Sequence, residues 1–284
     1  MEKTYYHFFC VRDSEDSISD VMESVINQSH KPKKICVVND GSSDKTGQIL
    51  DNYKKQNPEL INVIHTDSKT RDYSRIPTLW NMCLTKDYDF HMIGAGDVVY
   101  ENDYVKKLIN EFEKNPKLVI CSGDHIPFKT KVPHGGGRLV KQSFFFKNYD
   151  KYYEIMGYES EILYRALLQG YEIRVFKNAL LEHREELGHG HNFEEFGRGM
   201  KALGYHPLFV IGRCCMELLK NKAIHHKGVF NMFWKYLTYK PAKSGYFSSF
   251  PKEIRNDIRD YQKQLIIKFL KTNIFYNFQK KSYS

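Results

Sequence analysis

Two hydrophobic periodicities alternate along the first part of the chain, and that alternation leaves few architectures open. The apolar run from Tyr5 to Val11 reads as a buried strand, and Ile18, Val21, Met22, Val25 and Ile26 then recur at helical spacing, with Ser17 and Asp20 placed to cap the helix. Lys31-Pro32 stops that helix, and the short β-branched run from Lys34 to Val38 ends at the turn Asn39-Asp40-Gly41. The pattern repeats with helices expected over 44–56, 77–84 and 103–113 and strands over 61–65, 90–93 and 117–122. Strands that alternate with helices make an α/β fold with a mostly parallel sheet flanked by helices on both faces.

Beyond Ser122 the rhythm changes to a glycine-rich stretch (133–137), a basic aromatic segment (141–147), a helix over 159–169 closed by Gly170, and a further strand over 172–176. From about Gly199 the pattern is helical, aromatic and basic, which places a boundary near Gly204: a sheet domain over 1–203 and a C-terminal helical extension over 204–284. The extension's Tyr246, Phe247, Phe250, Phe269, Phe275, Tyr276 and Phe278, interleaved with lysines, leave two readings open, contact with an anionic membrane surface or packing within the protein.

Composition narrows the partners. Forty-three Lys and Arg against 34 Asp and Glu give a net charge of +9, which favours anionic ligands, while 41% hydrophobic and 14% aromatic content exclude a disordered chain. Apart from the last forty residues, basic residues are dispersed rather than clustered with aromatics on one element, which argues against nucleic acid as a partner. The six cysteines lie mostly in apolar runs without CxxC spacing, as buried reduced thiols do. The N-terminus lacks a signal-peptide apolar stretch and no window reaches the ~20 apolar residues of a membrane span, so the expected location is cytoplasmic, peripheral at the inner face of the membrane at most.

Ligands of open parallel sheets bind at the carboxyl ends of the strands. Asn39-Asp40-Gly41-Ser42-Ser43-Asp44 is such a place: Gly41 permits close backbone approach, Asp40 can accept a hydrogen bond from a nucleobase imide, and Ser43 can cap the next helix. An ordinary capped turn explains the same residues. Asp97 follows the strand over 90–93 through Gly94-Ala95-Gly96 and suits a hard cation holding a diphosphate. Glu159 and Glu161 open a helix after Gly157-Tyr158, placed either to take a proton from an acceptor hydroxyl or simply to satisfy the helix dipole. His183 lies after the strand over 172–176, and a zinc set of His183, His189 and His191 has irregular spacing and no cysteine partner.

The stretch VINQSHKPKKICVVNDGSSDKTGQIL resembles the signature of family 2 glycosyltransferases, nucleotide-sugar-dependent enzymes with a GT-A fold, and the likeness runs to about Gly199. It implies an inverting transfer of a sugar from a UDP- or GDP-sugar donor to a glycan or lipid-linked acceptor, with a divalent cation, Mg²⁺ or Mn²⁺. By the same likeness Asp40 contacts the nucleobase with Ser42 in the same turn, and SRIPTLWNM puts Asn81 in the donor-binding segment. Asp97 then stands for the second acid of the metal-binding Asp-x-Asp, whose first acid is replaced by Ala95. MGYESEILYRALLQGY puts the catalytic base at Glu159, with Glu161 as fallback. LLEHREELG makes His183 a metal or diphosphate ligand, with Arg184 assisting the leaving phosphates. Rival readings are a nucleotidyltransferase, which would carry a glycine-rich basic loop where Cys10-Val11-Arg12-Asp13-Ser14 stands, and a catalytically degenerate nucleotide-binding or membrane-peripheral scaffold.

Overall fold

The computed structural model describes residues 2–126, 132–184, 193–219 and 223–281, with side chains at 223–226 and 272–281 left out of the description. Eight strands form one sheet: β1 (Tyr5–Val11), β2 (Lys34–Asp40), β3 (Ile61–Thr66), β4 (Phe90–Ile93), β5 (Val98–Tyr100), β6 (Leu118–Ile126), β7 (Arg138–Lys141) and β8 (Glu172–His183). Their order across the sheet is β3-β2-β1-β4-β7-β6-β8-β5. Four pairings are parallel (β1 with β2 and β4, β2 with β3, β6 with β8), and three are antiparallel (β4–β7, β6–β7, β5–β8).

Covering both faces explains why the first strands are buried along most of their length. Tyr5, Phe9 and Val11 of β1 join a core with Ile18, Val21, Met22 and Val25 of α1 (Ile18–Ile26) and Val105, Leu108, Ile109 and Phe112 of α4 (Tyr104–Lys114). Each such side chain contributes roughly 1.5–3 kcal/mol on burial. Alternate residues point the other way, where Phe8 meets Trp80 of α3 (Ile76–Cys83) edge-on at 6.3 Å between ring centroids. Helix α2 (Thr46–Gln56) follows β2, α5 (Gln142–Asn148) follows β7, and α6 (Tyr158–Leu168) precedes β8.

Several local expectations are corrected. Ser17 sits at the N-cap of α1 without a capping bond, because its Oγ donates to the Gly96 carbonyl at 3.1 Å instead. At α2 the amide of Thr46 donates to Asp44 Oδ1 at 2.9 Å, while the Ser43 hydroxyl donates to Asp13, so Asp44 and not Ser43 supplies the cap-like bond. The glycine-rich segment forms a buried 3₁₀ turn, Gly135–Gly137: Tyr100 and Tyr104 hydroxyls donate to the Gly136 and Gly137 carbonyls at 2.8 and 2.7 Å.

The chain divides into two compact units, residues 1–153 with 165–189, and residues 154–164 with 190–284. The division therefore lies ahead of Gly204 and takes the start of α6 with the C-terminal part, since α7 (Phe193–Ala202) packs with α9 (Ala223–Thr238) rather than belonging to the sheet unit. Helices α8 (Pro207–Leu218) and α10 (Lys252–Lys281) complete the second unit. There Phe250 is buried, whereas Phe247 and Phe269 are exposed; the side chains of Phe275, Tyr276 and Phe278 lie outside the described residues. Among the described residues no helix is long and apolar enough to cross a membrane, and all six cysteines are free.

Two core histidines give the sheet unit an acid-sensitive stability. Burial lowers His7 and His91 from 6.5 to about 3, so both are neutral in the folded protein. A depressed histidine pKa means that stability is full above about pH 6.5 and is lost as the unfolded chain takes up protons the folded chain refuses, down to about pH 3. At about 1.4 kcal/mol per pH unit for each histidine, urea unfolding should show a loss of about 2 kcal/mol between pH 6 and pH 5. His91→Gln should make that slope shallower, and a midpoint independent of pH contradicts the assignment.

Candidate functional site

The end of β2 and the segments after β1, β3 and β4 meet at one edge of the sheet around a cleft of about 280 Å³. Its lining includes Cys10, Arg12, Asp40, Arg71, Asp72, Tyr73 and Asp97, so three carboxylates, two guanidinium groups and an aromatic ring share one space.

The β2 turn is built to bring the backbone close. Gly41 has φ +68°, and a Cβ there would lie 2.2 Å from the Ser68 carbonyl oxygen, so only glycine fits without strain. Asp40 is buried, and its Oδ1 accepts from Thr66 Oγ1 at 2.7 Å and from the Arg75 guanidinium at 2.8 Å. Arg12 donates to the carbonyls of Asp40, Ser68 and Thr70, which ties the β1, β2 and β3 loops together. Asp13 takes a left-handed φ of 48° and accepts from the Ser43 amide at 2.7 Å, a bond that lowers its carboxyl pKa. Burial pushes the Cys10 thiol up to about 12, with the Asp40 charge adding to it, so Cys10 lines the cleft as a neutral thiol.

At the other end, strand pairing sets the geometry. β5 runs antiparallel to β8 with Val98 opposite His183, and the Arg184 amide donates to the Asp97 carbonyl at 2.7 Å. The Asp97 side chain therefore meets the His183 ring, Oδ2 to Nδ1 at 2.8 Å. His183 Nε2 is buried with no hydrogen-bond partner, an orphaned lone-pair site beside a carboxylate, which fits a cation there.

Other residues expected at the donor site have different duties. Ser42 accepts from the Asp13 amide and donates to Asn39, shaping the turn, and it is not among the cleft-lining residues. The Asn81 amide pairs with both backbone groups of Tyr152, at 3.0 and 2.8 Å, and holds that segment rather than lining the cleft. Arg184 pairs through its guanidinium with Asp20 and Glu182, at 3.2 and 3.4 Å. On α6, in the second unit, Glu159 is half-buried and Glu161 is only 2% exposed. His189 and His191 lie outside the described residues. Arg12, Arg71 and Tyr73 were not legible as lining residues, although the first follows a strand end and the other two precede the SRIPTLWNM segment.

Comparisons with known proteins agree with this geometry. The model of glycosyl transferase family 2 matches residues 8–165. A poly-beta-1,6-N-acetyl-D-glucosamine synthase of Staphylococcus epidermidis is 29% identical over 125 residues, 40% of this chain and 26% of that protein, so the match spans about a quarter of the relative's length. In structure, the mannosyltransferase PcManGT from Pyrobaculum calidifontis, in complex with GDP-Man and Mn²⁺, superposes with a TM-score of 0.57 at 12% identity, over 84% of this chain and 73% of that one. TarS of S. aureus in complex with UDP-GlcNAc gives 0.52 at 14%, over 82% and 71%. These structures share the GT-A fold. With the family match extending over more than half of its length, and with both strand-end acids of the cleft inside the matched segment, the chain belongs to glycosyl transferase family 2.

Proposed function

We propose that the chain is an inverting glycosyltransferase that moves a sugar from a nucleoside-diphosphate donor to an acceptor hydroxyl. The observation that carries this reading is the cleft lined together by buried Asp40, by Arg12 and Arg71, and by Asp97, whose carboxylate pairs with His183. Asp40 offers an acceptor to a nucleobase imide, the exposed Tyr73 ring offers a stacking face, and Arg71 offers charge to the diphosphate. Bound GDP-Man in PcManGT and UDP-GlcNAc in TarS support a nucleotide-sugar donor here.

His183, held by Asp97, is the residue that would hold a divalent cation, which supplies neutralisation of the charge on the departing diphosphate. Glu159 is the proposed general base: it removes the acceptor proton as the hydroxyl attacks the anomeric carbon in a single displacement. Support for Glu159 over Glu161 is its place in MGYESEILYRALLQGY and its greater exposure.

The direct test is a thermal-shift series with UDP and GDP, with and without Mn²⁺, followed by a sugar-release assay with the matching donor. At a hundredfold excess over Kd, ligation stabilises by about 2.7 kcal/mol, a rise of roughly 5 °C for a chain of this size. The expected result is a shift with one of the two nucleotides that grows when the cation is added. No shift with either nucleotide contradicts the proposal.

A further inference from the structure

Three imidazoles converge beside Asp97. Strand β6 pairs in parallel with β8, His125 opposite Leu181, so His125 falls on the same face as His183 one residue pair farther along. The two rings stack at 4.8 Å between centroids and 11° between planes. His134 enters from the chain before the buried 3₁₀ turn, its amide donating to Ser122 Oγ of β6 at 3.3 Å, and stands edge-on to His125 at 4.6 Å and to His183 at 6.1 Å. Ring nitrogens of all three lie within 4.8 Å of one another.

Such a grouping is expensive without a ligand. Both ring nitrogens of His125 and Nε2 of His183 are buried with no hydrogen-bond partner, whereas buried polar atoms are ordinarily paired. The turn that carries His134 also packs against the position where the family's first acid is missing, since a Cβ on Gly136 would lie 3.6 Å from Ala95 Cβ and 3.8 Å from His134 Nδ1.

We propose that His125, His134 and His183 together bind a first-row transition-metal ion through their ring nitrogens, with Asp97 as a positioning residue that acts through His183. Ligand nitrogens sit about 2.0–2.1 Å from such an ion at roughly tetrahedral angles, so each pair must approach to about 3.4 Å, a side-chain adjustment of at most about 1.4 Å from the 4.8 Å limit. Asp97 Oδ2 on His183 Nδ1 is the carboxylate–histidine arrangement that fixes the tautomer and turns Nε2 to the metal. Imidazole donors select Zn²⁺, Co²⁺ or Ni²⁺, with Mn²⁺ weaker, over Mg²⁺, which demands oxygen ligands. The inference deepens the donor-site reading by naming the ligands and class of its cation: imidazoles stand in for the acid lost at Ala95, and open positions remain for phosphate oxygens.

The test uses the full chain, stripped with chelator and without nucleotide. Calorimetric titration with Zn²⁺ and with Co²⁺ should show a one-to-one site that millimolar Mg²⁺ does not displace, and X-ray absorption of the Zn²⁺ form should show imidazole nitrogens. His125→Gln and His134→Gln should each weaken Zn²⁺ at least about 100-fold. Asp97→Asn should weaken it by about 10- to 100-fold while the number of imidazoles in the spectrum and the melting temperature in chelator stay the same. A control with His189→Gln and His191→Gln should bind as the parent does. The proposal is overturned if affinity survives both His125→Gln and His134→Gln, if it is lost in the control instead, or if the spectrum shows oxygen ligands alone. The spectrum of the unaltered chain decides even where a variant fails to fold. Metal binding without any nucleotide-induced shift would sink the donor-site reading and leave the metal site standing; a nucleotide shift without the imidazole signature does the reverse.

Discussion

Glu159→Gln is expected to bind the donor nucleotide as the parent does and to transfer sugar about 10² to 10⁴ times more slowly. The substitution keeps the side chain's size and hydrogen-bonding reach and removes only the capacity to accept a proton, so binding and turnover must separate. Glu159 lies in the first turn of α6, where a negative charge also favours the helix dipole. If that were its whole role, the variant would lose a few tenths to about 1 kcal/mol of stability and keep near-normal turnover. Glu161→Gln tests the alternative base. Because Glu161 is 2% exposed, altering a buried, partnered carboxyl should act first on folding and appear as a lower melting temperature. Transfer rate, nucleotide affinity and melting temperature measured on both variants decide between them. A catalytic collapse in Glu161→Gln with normal turnover in Glu159→Gln moves the base two residues along, and no collapse in either removes a general base from α6.

Strands buried on both faces were the most legible part of the fold. β1, β2 and β4 are buried along almost their whole length because helices cover each side, with only the histidines His7 and His91 inside the apolar runs of β1 and β4, and Phe90 to Ile93 has the bounds read from sequence. β5 and β7 escaped because three and four residues are too few to display a period, and because β7 earns its strand character from distant partners, Ile93 opposite Arg138 on one side and Cys121 opposite Leu139 on the other. The same two strands give the sheet its antiparallel share. Length misled at β8 as well: the register shift between its pairings at Gly123 and Asp124 interrupts the apolar pattern, and the strand runs on to His183.

At the site, residues next to strand ends were legible and residues brought together by register were not. Asp40 closes β2, Asp97 lies four residues beyond β4, and both line the cleft. Ser42 shares the turn of Asp40 and Asn81 lies in the SRIPTLWNM segment, yet their side chains are committed to the β2 turn and to Tyr152, a division that sequence position alone does not reveal. His125 and His134 sit 58 and 49 residues from His183, and only the β6–β8 pairing and the tight turn before β7 place the three rings in contact.

Asp40→Ala should weaken nucleotide binding by on the order of 1–3 kcal/mol, roughly 5- to 150-fold in Kd, because a ligand N–H desolvated in the cleft is left without its acceptor. The structure makes the interpretation conditional on Arg75, which shares Asp40 Oδ1 with the Thr66 hydroxyl. Losing Asp40 frees that guanidinium, and since the Arg75 side chain is 39% exposed the broken pair should itself cost under about 1 kcal/mol of stability. Arg75→Met removes the pair and keeps the carboxylate, so it separates the two roles. If Asp40 contacts the base, Arg75→Met binds nucleotide several-fold better than Asp40→Ala, and Asp40→Asn, which retains a carbonyl acceptor, falls between Asp40→Ala and the parent. Equal losses in Asp40→Ala and Arg75→Met would mean that the carboxylate only anchors the arginine. Unchanged affinity in Asp40→Ala would take Asp40 out of the nucleotide site altogether, leaving the cleft's recognition to Tyr73 and the arginines.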